Sequence, residues 1–253
     1  MRFLLKPIVV IGVILLLAGV IAWKVPVKWL VSRADLSHHD IQYAGASGTV
    51  WSGTAKNVEW RNLLLGDIHW GFMTLTQVSP PFSTWQVEGT GLDYQLSLLA
   101  DVERTSLRRL RFINGELPAG WLDLNKAVPL LFLGGRLNVN LDFLELKWGP
   151  LGLAAGSIQW KDAAFTGLFE EELGDIDINI AWAHGGTRAY LQSTQVRSIM
   201  IEGEANLTAR RYNVLLILHT TDKKRYVIEK LAHLGEVHPD GSLHITLAGS
   251  MRR

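Results

Sequence analysis

The chain has 253 residues, 48% hydrophobic and 19% charged, with 25 Lys and Arg against 24 Asp and Glu for a net charge of +1. That balance is too apolar for a disordered chain, too polar for a multi-span channel, and carries no global charge to hold nucleic acid. The chain has no cysteine, which excludes a disulfide framework and thiolate-bound zinc.

The first expected element is a membrane span. No charged residue occurs from Pro7 to Trp23, and the stretch contains the run Ile8, Val9, Val10, Ile11 and then Val13 to Leu17. Central aliphatic residues each favour insertion by roughly 0.3–0.6 kcal/mol, which outweighs Lys6 and Lys24 at the ends, where their ammonium groups reach the interface. Trp23 and Trp29 suit an aromatic belt. A cleavable leader is the competing reading, but no A-x-A-like site stands between Gly19 and Lys24. The expected layout is a short N-terminal segment, residues 1–6, a transmembrane helix over 7–25 and a juxtamembrane linker over 26–40. Arg2 and Lys6 are balanced by Lys24, Lys28 and Arg33, so charge leaves the orientation open.

Beyond Asp40 the apolar positions alternate with polar ones. Val58 and Trp60 flank Glu59, Ile68, Trp70 and Phe72 are spaced by two, and Leu137, Val139 and Leu141 alternate with Asn138 and Asn140. Period 2 means half-buried antiparallel strands. It returns in Ile158/Trp160, in Ile176/Ile178/Ile180/Trp182, in Tyr212/Val214/Leu216/Leu218 and in Leu243/Ile245/Leu247. Trp60, Trp70, Trp160 and Trp182 share the phase of these aliphatic residues and are expected in the core. At Phe143 the apolar phase slips by one residue, which calls for a β-bulge or a strand break. Two helices are expected, over 118–133 and 222–234, the second with Asp222 as N-cap and Gly235 as its stop.

The motifs come in pairs and in the same order. Leu65-Gly66-Asp67-Ile68 returns as Leu173-Gly174-Asp175-Ile176, Gly48-Thr-Val-Trp51 has a looser echo in Gly156-Ser-Ile-Gln-Trp160, and Gly135-x-Leu137 returns as Gly241-x-Leu243. An ancestral duplication explains this order, with a junction near Gly149-Pro150. The expected fold class is therefore mainly β: an N-terminal transmembrane helix, then an antiparallel β-sheet domain of two similar β-rich repeats, 41–148 and 149–253, each with a short helix.

The segment Gly45-Ala-Ser-Gly-Thr-Val-Trp-Ser-Gly-Thr-Ala55 resembles the signature of the type II secretion system protein N family. Gly66-Asp-Ile-His-Trp70, Gly156-Ser-Ile-Gln-Trp160, Leu231-Ala-His-Leu-Gly235 and Pro239-Asp-Gly-Ser-Leu243 follow in that family's order. The resemblance implies an inner-membrane subunit with residues 1–6 in the cytoplasm and its C-terminal domain in the periplasm, accessory to protein export across the outer membrane. It implies other type II secretion components as partners, the inner-membrane platform and the outer-membrane secretin, with no cofactor and no catalytic residue. Physically, Gly48, Trp51, Gly53, Trp70, Gly156 and Trp160 read as scaffold: glycines for turns or close approach, tryptophans for packing.

No reactive constellation is visible. Ser52 lacks the Gly-x-Ser-x-Gly spacing, and His38 and His39 are adjacent and diverge in a strand. His233, His238 and His244 have no ligand spacing, and Glu170-Glu171-Glu172 reads as a solvated loop. Arg104, Arg108, Arg109 and Arg111 form the densest basic cluster. Arg108, Arg109 and Arg111 are candidates for contact with a lipid headgroup or acidic partner, against the reading of a charged strand face that discourages edge pairing. An architectural, non-enzymatic subunit is the expectation. The alternative is a membrane-anchored periplasmic β protein that handles lipid or glycan, which an apolar groove would support.

Overall fold

The computed structural model describes residues 24–28, 40–60, 63–73, 82–103, 106–122, 131–145, 153–167, 169–183, 186–208, 211–220 and 225–250. The strands are β1 (Ile41–Gln42), β2 (Gly45–Gly48), β3 (Ser52–Trp60), β4 (Leu63–Phe72), β5 (Phe82–Thr90), β6 (Gln95–Glu103), β7 (Ser106–Pro118) and β8 (Leu131–Glu145). They continue with β9 (Ala154–Gly167), β10 (Glu171–Ala183), β11 (Gly186–Val196), β12 (Ile199–Thr208), β13 (Arg211–Thr220), β14 (Glu236–Val237) and β15 (Leu243–Ser250). Among the described residues these 15 strands form one sheet ordered almost as the chain runs, from β1 and β3 through β13 to β15 and β14, with β2 also beside β3. Every pairing is antiparallel. Short connections between successive antiparallel strands make such a meander the topologically simplest outcome of the alternating pattern.

The register carries that alternation across the whole sheet. One row runs Ala55, Ile68, Gly89, Leu96, Gly115, Val139, Ile158, Ile178, Leu191, Gly203, Leu216, Ile245, each residue paired with the next, without a polar side chain. The neighbouring residues on the opposite face run Thr54, His69, Glu88, Ser97, Asn114, Asn140, Ser157, Asn179, and then Tyr190, Glu204, Leu215 and Thr246, polar but for two. The sheet is thus amphipathic, and its apolar face must be covered or folded inward.

In the C-terminal half it is covered. The helix α1 (Arg225–Leu231) buries Val227, Ile228 and Leu231 in a cluster with Leu137, Trp160, Phe165, Leu173, Ile176, Ile199, Leu218 and Leu243. The core sits at one end of the strands. Along β10 burial falls from Ile176, 0% exposed, through half-buried Ile178 and Ile180 to Trp182, 60% exposed.

Several expectations are met and several are corrected. The slip at Phe143 is a register shift between Leu141 and Phe143 in the pairing of β8 with β9. Trp160 is buried and Trp70 half-buried, but Trp60 and Trp182 are 44% and 60% exposed. Both have the right phase yet stand at strand ends beyond the core. The helix expected over 118–133 is not formed at its two ends: β7 runs to Pro118, a 3-10 turn follows at Ala119–Trp121, and β8 begins at Leu131. Pro129 weakens a helix there, and strand pairing of Leu131 and Leu133 with Gly167 and Phe165 takes the apolar run instead. The second helix forms as α1 plus a 3-10 turn at Ala232–Leu234 that ends at Gly235, while its expected cap Asp222 lies outside the described residues. A short helix in each repeat is therefore not what the described residues hold.

The expected span over 7–25 lies outside the described residues except for its last two positions, and among the described residues no helix is long and apolar enough to cross a membrane. The segment that follows is docked directly on the sheet. Pro26 bridges Thr49, the Val50 N–H donates to the Val25 carbonyl at 3.0 Å, and Val27 is buried.

Candidate functional site

The glycines and tryptophans of the first motif meet at one corner. Gly48 closes the β2–β3 hairpin with φ +91°, and Gly53 lies under Trp70, where a Cβ would come within 2.5 Å of the indole Cζ2. The ring then donates its Nε1–H to the Val50 carbonyl at 3.0 Å, tying β4 back to the turn. Trp51 stacks on Trp85 with centroids 5.7 Å apart, and Phe72 meets both edge-on at 5.2 Å. This cluster, built from β4, β5 and the turn before β3, holds the first hairpin in place by ring packing. The alternation marks Phe72 only as a strand position and gives no signal for Trp85; the register, which pairs the two directly, places them against Trp51.

The second set is elsewhere. Gly156 stands inside β9 with φ +136°, and Trp160 lies in the core, its Nε1–H donating to the Gly134 carbonyl at 2.7 Å and its ring edge-on to Phe165. Gly48 and Gly156 are therefore in different surroundings, a hairpin turn and a strand interior.

The Leu-Gly-Asp-Ile motifs, by contrast, build one device twice. Gly66 and Gly174 both have positive φ, +62° and +94°, at points where the ladder with the preceding strand shifts register. Their ladder partners are Val58 and Ala163, and the residues just before these, Asn57 and Asp162, also have positive φ, 49° and 47°. The next residue caps the bulge each time: Asp67 Oδ1 accepts the Asn57 N–H, and Asp175 Oδ1 the Asp162 N–H, both at 3.0 Å. Asn57 and Asp162 carried no recognisable signal in the sequence, though Asn and Asp are the side chains that best tolerate such a conformation.

Arg104 lies outside the described residues. Arg108 pairs with Glu103 at 3.0 Å, Arg109 with Glu145 at 2.6 Å, and Arg111 donates from Nε and a terminal nitrogen to Asp101 at 2.7 and 2.9 Å. Asp101 is buried and also accepts the Thr84 hydroxyl at 2.7 Å. Each of the three guanidinium groups, all on β7, is thus matched by a carboxylate on the neighbouring strand β6 or β8.

The other candidates do not converge. Ser52 is engaged through its backbone with Thr49, the His69 Nδ1 meets the Thr54 hydroxyl at 2.9 Å, and buried Glu171 accepts the Tyr226 hydroxyl. The Glu170–Glu172 stretch is not a plain solvated loop, since Glu171 opens β10 while Glu172 pairs with Arg197. His238 and His244 stack at 3.8 Å, but among the described residues no three His, Asp or Glu gather as metal ligands.

A cavity of about 310 Å³ opens on the apolar face at the first end of the sheet, lined by Ala46, Ala55, Val58, Leu65, Ile68 and Trp70. Tyr43 and Trp60 stand at its margin, 39% and 44% exposed.

Comparison with known proteins adds the family. Residues 39–246 match the model of type II secretion system (T2SS), protein N. A type II secretion system protein N of Klebsiella pneumoniae is 26% identical over 182 residues, which cover 67% of this chain. The chain spans 66% of that relative's length, just under two thirds. No solved structure matches. With well over half of its residues inside the family match, the chain belongs to the type II secretion system protein N family.

Proposed function

We propose that the chain is an accessory inner-membrane subunit of a type II protein secretion system, with an architectural, non-catalytic role in export of proteins across the outer membrane. The observation that carries this reading is the family match over residues 39–246. The uncharged run from Pro7 to Trp23 would anchor it, and the sheet would stand in the periplasm as two fused β-rich repeats, 41–148 and 149–253. The duplicated bulge at Gly66 and Gly174 supports the two repeats.

The partners are other secretion components, the inner-membrane platform and the outer-membrane secretin, met through edges and loops of the sheet. β14 pairs only with Leu243 and His244 of β15, so among the described strands the rest of that edge has no neighbour and can accept a strand from another chain. Arg108, Arg109 and Arg111 act as a charge-matched strand face that discourages unwanted pairing. The mechanism is positioning without turnover.

Two measurements test this. A reporter fused after Arg253 should be active only when exported, and activity of a cytoplasm-only reporter there would overturn the topology. Crosslinking in the native membrane with mass-spectrometric identification should recover secretion components, and a partner set without any of them would overturn the assembly role.

A second reading, handling of lipid, is favoured by one observation. Among the described residues, β1–β6 contribute no side chain to the buried cluster under α1.

A further inference from the structure

We propose that the cavity beside Ala55 and Ile68 binds part of an acyl chain of a membrane phospholipid, an inference that rests on the lipid-handling reading and gives it a site. The chemistry of the lining selects hydrocarbon. Ala46, Ala55, Val58, Leu65 and Ile68 present only carbon side chains, and the Trp70 N–H is spent on the Val50 carbonyl. A peptide strand or a sugar would leave its polar groups unsatisfied against such walls, whereas an alkyl chain has none to satisfy. A volume of about 310 Å³ is at the lower end of the roughly 300–1,000 Å³ of ligand sites, so it suits a segment of one chain rather than a whole lipid.

Position points to the same occupant. Ala46 is three residues from Thr49, and Thr49 bridges Pro26, so the cavity lies roughly 10 Å along the chain from the segment docked after the uncharged run. With that run in a bilayer, Val25 to Lys28 stand at its surface and the cavity mouth is within reach of the lipid. Exposed Lys24 and Lys28 suit anionic headgroups, and half-exposed Tyr43 and Trp60 have the amphipathic rings favoured at that depth. From the cavity the apolar row continues through Ile68, Gly89 and Leu96.

The test uses the full chain in vesicles of phosphatidylethanolamine and phosphatidylglycerol, doped with phosphatidylglycerol bearing a diazirine near the end of one acyl chain. After irradiation, labelled peptides are mapped by mass spectrometry. Label should appear within residues 41–70, be competed by unlabelled phosphatidylglycerol, and disappear in Ala55→Phe and Ala46→Leu, which fill the cavity, with circular-dichroism melting unchanged. If Ala55→Phe does not fold, Ala46→Leu and the competition decide. Label that persists in a folded, filled variant overturns the site. Label confined to residues 1–28 overturns both the site and the lipid-handling reading. Label on Leu131–Glu145 or Ile199–Thr208 instead overturns this site but leaves lipid handling standing. Crosslinking of residues 41–70 to a second copy of the chain, with no lipid adduct, overturns it in favour of self-association.

Discussion

Gly174 leaves no room for a side chain: a Cβ there would fall inside the carbonyl oxygen of Gln195, and its φ of +94° is one that other residues adopt only with strain. Left-handed backbone alone costs roughly 1–2 kcal/mol, and the overlap with fixed backbone adds to it. Gly174→Ala is expected to destabilise the protein by more than about 2 kcal/mol in urea unfolding. Gly71→Ala is the control, since a Cβ there meets nothing within 4 Å, and it should be close to neutral. Trp51 behaves differently from a fully interior tryptophan. It is half-buried and packs against Trp85 and Phe72, so Trp51→Ala should cost about 2–3 kcal/mol, below the 3–5 typical of fully buried rings. Trp51→Phe should cost less, and an unchanged unfolding midpoint in Trp51→Ala would show that the ring serves a partner instead.

Among the elements, the β5–β6 hairpin is held by one buried phenol. Tyr94 is 7% exposed, its hydroxyl donates to the Leu65 carbonyl across the sheet, and its ring meets Trp121 at 4.8 Å. Burial, with the Asp67 carboxylate in second place, pushes its hydroxyl above the ordinary tyrosine pKa. In the unfolded chain the phenol ionises near pH 10, while the folded one holds its proton to higher pH. Above that pH the unfolded state binds fewer protons than the native state, so stability falls as pH rises. Urea midpoints between about pH 8 and about pH 11 should drop more steeply for the wild type than for Tyr94→Phe. Parallel profiles would remove Tyr94 from the account. At the other end of the sheet, α1 covers the core that this hairpin lacks, and Tyr226 ties it to Glu171 at the start of β10.

At the scale of the molecule, a single amphipathic sheet separates two kinds of substitution by one residue. Ile178 belongs to the unbroken apolar row and packs against the core, while Asn179 belongs to the polar row and is exposed. Ile178→Asp should place an unpaired charge against apolar walls and cost several kcal/mol, roughly 3 or more, whereas Asn179→Asp should change stability by less than about 0.5 kcal/mol. Equal midpoints for the two variants would mean that the apolar face is wetter than its register implies.

Much of this was legible in the residues themselves. Strand period, the bulge at Phe143, the stop at Gly235 and the paired Leu-Gly-Asp-Ile motifs are local, set by side-chain alternation and backbone freedom within a few positions. Phase, however, names the face a side chain occupies and not what lies over that face. Trp60 and Trp160 share their phase with core residues, yet one is 44% exposed and the other buried, because the helix and strand ends that make the core gather over only part of the sheet. The same applies to the run at residues 131–133, where helix and strand compete locally and pairing with β9 decides. The cavity at Ala55 and the carboxylate partners of the arginines depend on register between strands, a long-range property that only the folded sheet supplies.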